Sequence, residues 1–99
     1  KKEILAKIFC VRPLKMKESL RFRCATQESF AQIKQIKGIW DSATLEPKPK
    51  KNMLEETDIA EALITIESPL VVERFERLNS LGRFILKDNK DICAVGIIL

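Results

Sequence analysis

The chain has 99 residues, with 18 Lys and Arg against 14 Asp and Glu and no His, a formal net charge of +4 at pH 7. That length makes one domain with one core, and no apolar run approaches the roughly 20 residues that a membrane-spanning helix needs. Without His there is no Ser/His/Asp or Cys/His catalytic set. Nor is there a zinc set built on Cys10, Cys24 and Cys93, which are odd in number and widely spaced. These thiols are expected to stay reduced, as in a cytoplasmic protein, each packing as a small hydrophobe in or beside a strand. Lys1-Lys2-Glu3 leads into a strand pattern that carries charges, unlike a secretory signal. The mild basic excess suits a domain that touches RNA or an acidic protein patch, and it suits a plain solvated surface as well.

Ile4 to Val11 is rich in β-favouring residues and ends at Arg12-Pro13, where proline removes a ladder donor, so it is read as the first strand. Leu14 to Ser19 is read as a connection. Leu20 to Ala25 alternates with Leu20, Phe22 and Cys24 on one face and Arg21 and Arg23 on the other, a half-buried strand with a basic outer face. Two guanidinium groups at that spacing can engage phosphates or carboxylates; the bland alternative is a solvated face whose ion pairs contribute little. Phe30 to Lys37 would also suit a helix, but neighbouring Thr26-Gln-Glu28 and the Gly38 stop favour a strand with a bulge near Gln35 that returns Ile36 to the core side.

From Trp40 to Asn52 two prolines and three lysines mark an exposed loop, with Trp40 packed at its base and Lys48, Lys50 and Lys51 at a tip that could meet RNA backbone. Ile59 to Ile66 is a strand with Ala60, Ala62, Ile64 and Ile66 on one face. Leu70-Val71-Val72 is expected as an edge or crossing strand. Glu73 to Ser80 is expected as a charged turn with room for one turn of helix, Phe75 and Leu78 inward and Arg74 and Arg77 outward. Gly82 to Lys87 alternates, Ile92 to Leu99 is almost continuously apolar, and Lys87 to Asp91 between them carries the Asp and Asn of a hairpin turn. Phe22 and Phe84 are expected in the core, and the Phe and Trp side chains mostly on the inward phase. About six short strands with no amphipathic helix give an all-β Greek-key barrel.

The three glycines, Gly38, Gly82 and Gly96, stand alone, so no Gly-x-x-x-x-Gly-Lys-Ser/Thr loop exists to cradle phosphate, and no catalysis is expected in this stretch. The Pro69-Leu-Val-Val-Glu73 segment, Leu81-Gly82-Arg83-Phe84, the charged turn after Lys87 and the closing Ala94-Val-Gly96-Ile resemble the end of domain III of translational GTPases of the elongation factor Tu and elongation factor 1-alpha superfamily. The resemblance covers the whole chain, by motif in its last third and by strand order before it, and it too favours a bulged strand over a helix for Phe30 to Lys37. It implies a six-stranded antiparallel Greek-key β-barrel over residues 1–99, a C-terminal piece of a longer protein whose preceding domains would carry GTP and Mg²⁺, with no cofactor in this piece. Cys24 stands where relatives often carry a His, so a proton relay there is not expected.

The implied partners are the preceding β-barrel and GTPase domains, the ribosome, and a tRNA, a tRNA-mimicking release or rescue factor, or an RNA-decay complex. The short middle loop, the missing His and the Arg77-Leu-Asn79 lead-in lean toward the release, rescue or Ski-adaptor branch. Arg21, Arg23, Arg74, Arg77, Arg83 and Lys87 are the candidate basic face, with Lys48, Lys50 and Lys51 as a flexible addition. Pairwise neutralisation by Glu73, Glu76, Asp88 and Asp91 is the competing expectation. A free-standing RNA-binding barrel, which would need exposed aromatics among the basic residues, is the alternative function.

Overall fold

A computed structural model describes residues 2–99; the lead-in at Lys1 lies outside them. Strand β1 (Lys2–Cys10) buries Ile4, Ala6, Ile8 and Cys10 and turns Lys7 and Phe9 outward, the period-2 pattern of a barrel wall. After Arg12-Pro13 comes β2 (Leu14–Lys15), a two-residue strand inside the segment expected to be mere connection. Strand β3 (Leu20–Cys24) alternates as expected, with both arginines outside.

A turn at Ala25-Thr26 leads into β4 (Gln27–Asp41), which runs through Gly38 instead of stopping there. Its register against the next strand slips between Ile33 and Gln35 and again between Ile36 and Gly38. The first slip is the bulge expected near Gln35: Gln35 is exposed and Ile36 returns to the core. Gly38 serves packing here, since a Cβ at that position would lie 2.7 Å from the Trp40 ring.

The Pro-Lys stretch is not wholly loop either. Asp41 Oδ1 accepts from the main-chain N–H of Ala43 (2.8 Å) and Thr44 (3.0 Å), and the chain folds back so that β5 (Pro47–Lys48) pairs with Ile39 and Trp40. Proline is tolerated because so short an edge strand has no ladder on its far side. Strand β6 (Met53–Leu54) pairs with β2, and β7 (Asp58–Ile66) buries Ala60, Ala62, Ile64 and Ile66.

Leu70 to Val72, expected as a strand, has no strand structure. Pro69 lacks a donor and the barrel's ladders are already occupied, so a side chain holds this segment instead. Gln27 Nε2 donates to Val71 O and Val71 N–H donates to Gln27 Oε1, both at 2.7 Å. The helical turn comes later than expected, at α1 (Asn79–Gly82). Leu78, expected inward, is 46% exposed, and Phe75 is only half-buried, its main chain lying over Gly82 and its ring beside Arg83; the residues of this segment that pack against the core are Leu70 and Val72.

Strands β8 (Arg83–Lys87) and β9 (Ile92–Ile98) form the expected antiparallel hairpin. The order β3-β8-β9-β1-β7-β4, with β4 pairing again with β3, closes six strands into an antiparallel barrel, and β5 hangs on the β4 edge. Because β3, β4 and β7 are successive neighbours and β1 lies beside β7, the arrangement is a Greek key. Phe22 and Phe84 stack in the core with ring centroids 4.6 Å apart, and Leu14 and Leu54 of the small β2–β6 sheet are buried in the same cluster.

Candidate partner interface

Strand pairing decides which of the expected cations meet. On the outer wall Arg21 is opposite Lys87 and Arg23 is opposite Ile85, with Arg83 one outward position further along β8, so these four share the β3–β8 surface. Arg21 Nη1 lies 3.6 Å from Glu28 Oε1 and its guanidinium sits 5.3 Å from the Phe30 ring centroid; Arg83 lies 5.7 Å from that of Phe75. Arg74 and Arg77 are exposed on the crossing segment that carries Phe75.

Pairwise neutralisation is not the pattern seen. Asp91 pairs with Arg12 at 3.0 Å, while Asp88 Oδ1 turns into the hairpin and accepts from the N–H of Lys90 (2.7 Å) and Asp91 (2.8 Å). Glu73 Oε1 accepts from the Arg74 N–H at 3.0 Å. Among the described residues Arg23, Arg74, Arg77, Arg83 and Lys87 make no ion pair, so their charge is available to a partner.

The loop lysines divide. Lys48, expected at a flexible tip, is held by Asp58 Oδ1 at 2.6 Å and Glu55 Oε2 at 3.3 Å, where Asp58 is only 3% exposed and also accepts from the Glu55 N–H at 2.9 Å. The Asp58 hydrogen bond holds the Lys48 ammonium above the ordinary lysine range. Lys48 therefore ties β5 to β7. Lys51 only approaches Glu55, at 3.8 Å, and Lys50 is exposed.

The largest feature that sequence reasoning missed is apolar. Ile85, Val95, Phe9, Ile59 and Trp40 are successive cross-strand partners on β8, β9, β1, β7 and β4, so they form one row around the outside of the barrel. Phe9 is 38% and Val95 41% exposed, and Ile59, Ile85 and Trp40 are half-buried. Beside the row, Ile97 and Phe75 join Phe9 and Val95 around a shallow depression bounded by Lys7 and Arg83. The expectation that the aromatics point mostly inward fails: only Phe22 and Phe84 of the five Phe are buried, and Phe30 is 55% exposed. The signal was present, because Phe9 is out of phase with Ile4, Ala6, Ile8 and Cys10. An apolar residue between two apolar neighbours hides its phase from a composition-based reading.

The three cysteine thiols are free and buried. Burial pushes the Cys10 thiol up to about 12, helped by nearby Asp58 and Cys93, and raises Cys24 and Cys93 too, so none is a ready thiolate. Among the described residues no three His, Cys, Asp or Glu side chains come together as a metal set. A Cβ at Gly82 would lie 2.3 Å from Phe75 Cα and one at Gly96 2.6 Å from the Phe84 ring, so both are filled packing positions.

Two solved structures of Sup35, complexed with GDP and with GMPPNP, share this fold, with TM-scores of 0.88 and 0.86 at 20% and 21% sequence identity over 100% of this chain. This chain spans 25% of each of those chains. Among curated proteins nothing matches it. The family described as GTP-eEF1A C-terminal domain-like matches residues 3–99, which is nearly all of this barrel, and the chain belongs to that family.

Proposed function

We propose that the barrel is a non-catalytic, partner-holding domain of a cytoplasmic translational-GTPase-like protein of the release, rescue or adaptor branch, and that its partner is a protein. The observation that carries this is the outer apolar row through Phe9 and Val95, edged by the cations Lys7, Arg83 and Lys87, which make no ion pair among the described residues. An apolar centre with a charged rim is how protein interfaces are built, whereas RNA is held mainly through its charged backbone. Either a tRNA-mimicking factor or the preceding domains of the same protein fits such a face, and GTP chemistry would belong to those other domains.

The test uses the full-length protein. Phe9→Ser with Val95→Ser should abolish pull-down of its protein partner, and Arg83→Glu with Lys87→Glu should weaken it while leaving only a shallow salt dependence in what remains. Undiminished capture by both variants, with circular dichroism unchanged, would refute this reading. A second reading has one observation in its favour: Arg21 over exposed Phe30 is a cation and aromatic pair of the kind that stacks bases. RNA capture that depends on Phe30 and falls steeply with salt would select it.

A further inference from the structure

We infer that the groove where β2 meets β6 is a second binding surface, independent of the apolar row, and that it takes the phosphate backbone of RNA. Lys15 is opposite Met53 in the β2–β6 ladder, and the Met16 N–H donates to Asn52 O at 3.1 Å. That pairing brings two lysine pairs together that are far apart in sequence, Lys15 and Lys17 on one side and Lys50 and Lys51 on the other. The first pair lines one groove with Met16, Asn52 and Met53, and the second lines the adjoining groove, which shares Met16 and Asn52 and adds Gln35. The two grooves share Met16 and Asn52, and the trough they make up together has all four lysines exposed along it.

Three details point to a polyanion. Lys15, Lys17 and Lys50 make no ion pair among the described residues; Lys51 lies 3.8 Å from Glu55, and Glu18 accepts from the Lys15 main-chain N–H at 3.3 Å. Lys17 is held in left-handed backbone (φ 64°) by its N–H bond to Ile33 O at 3.1 Å, so its position is fixed by the fold. The Gln35 bulge carries an exposed amide to the groove. No aromatic residue lines the trough, so it offers bases no stacking surface and reads charge rather than sequence.

The experiment measures binding of the intact protein to short labelled poly(U) and to a mixed-sequence RNA hairpin, across a salt series. Lys15→Ala, Lys17→Gly, Lys50→Ala and Lys51→Ala are combined, with glycine at 17 to keep the left-handed backbone unstrained. The combined variant should bind both RNAs roughly tenfold or more weakly at low salt, and its log–log salt slope should be shallower by about 0.7 to 0.9 for each phosphate that is no longer neutralised. Arginine at positions 15, 50 and 51 should retain binding, which separates lost charge from lost fold. Unchanged RNA affinity in the combined variant overturns the proposal, as does lysine-dependent binding of a polyglutamate peptide with none of RNA. Protein capture through Phe9 and Val95 should be untouched in this variant, so failure here and failure of the apolar interface are read separately.

Discussion

Gly82 explains physically why the Leu-Gly-Arg-Phe stretch needs its glycine. The crossing segment lies directly on it: Glu73 N–H donates to Leu81 O and Phe75 N–H to Ile98 O, both at 2.9 Å, and a Cβ at Gly82 would stand 2.3 Å from Phe75 Cα and 2.4 Å from Phe75 N. Backbone cannot swing aside as a side-chain tip can, so Gly82→Ala must lift the segment off β9 or bend α1. Overpacking of this kind costs about 1–3 kcal/mol, with the upper end expected here because two main-chain bonds move with it. Urea denaturation of Gly82→Ala should therefore show a lower midpoint with an unchanged slope, and a midpoint equal to that of the native chain would mean that the segment is not pinned where it lies. The lifted segment also carries Phe75 away from Arg83, so the same change should weaken the partner face.

At the scale of an element the β8–β9 hairpin is closed by one carboxylate. The Asp88 side chain accepts two main-chain N–H bonds, and bonding to the Asp91 and then the Lys90 N–H holds its carboxyl below the ordinary value of 3.8. A carboxylate with a lowered folded pKa contributes stability that is present above 3.8 and is lost as pH falls through the lower folded value. Asp88→Ala should lower the melting temperature at neutral pH, with the gap to the native chain narrowing in acid; Asp88→Asn, which keeps an acceptor, should lose less at neutral pH. A gap that stayed constant down to low pH would assign the effect to something other than this carboxylate. This hairpin was legible in the sequence because its strand phase and turn chemistry are local, as were β3, β7 and the bulge at Gln35. What was not legible depends on neighbours distant in the chain. Leu70 to Val72 has strand-forming residues but no free ladder to join, and Lys48 looks solvated until Asp58 is folded against it. Lys15 and Lys17 form a surface with Lys50 and Lys51 only through the β2–β6 pairing.

For the whole molecule the decisive pairing joins the two ends of the described chain. Strand β9 pairs with β1 from Ala6 opposite Ile98 to Cys10 opposite Ala94, and Leu99 N–H donates to Leu5 O at 2.9 Å. The same strand pairs with β8 on its other side, so it supplies two of the ladders that close the barrel and covers the core beside Phe84 and Ile8. Deleting residues 92–99 would open both ladders, expose two strand edges at once and remove Cys93, Ala94 and Ile98 from the core. Since small domains keep a margin of only about 5–15 kcal/mol, the remaining strands cannot hold an open sheet together. The shortened chain should show no cooperative melt. A synthetic peptide of residues 92–99 added in excess should restore one, because the missing strand needs to pair and does not need to be covalently attached. The intact barrel should refold on the order of milliseconds to seconds, as topologies dominated by distant pairings do. A shortened chain that melts like the intact one would show that β9 is peripheral and that closure rests on the β3–β4 hairpin, which makes the deletion the most direct test of how this barrel is held shut.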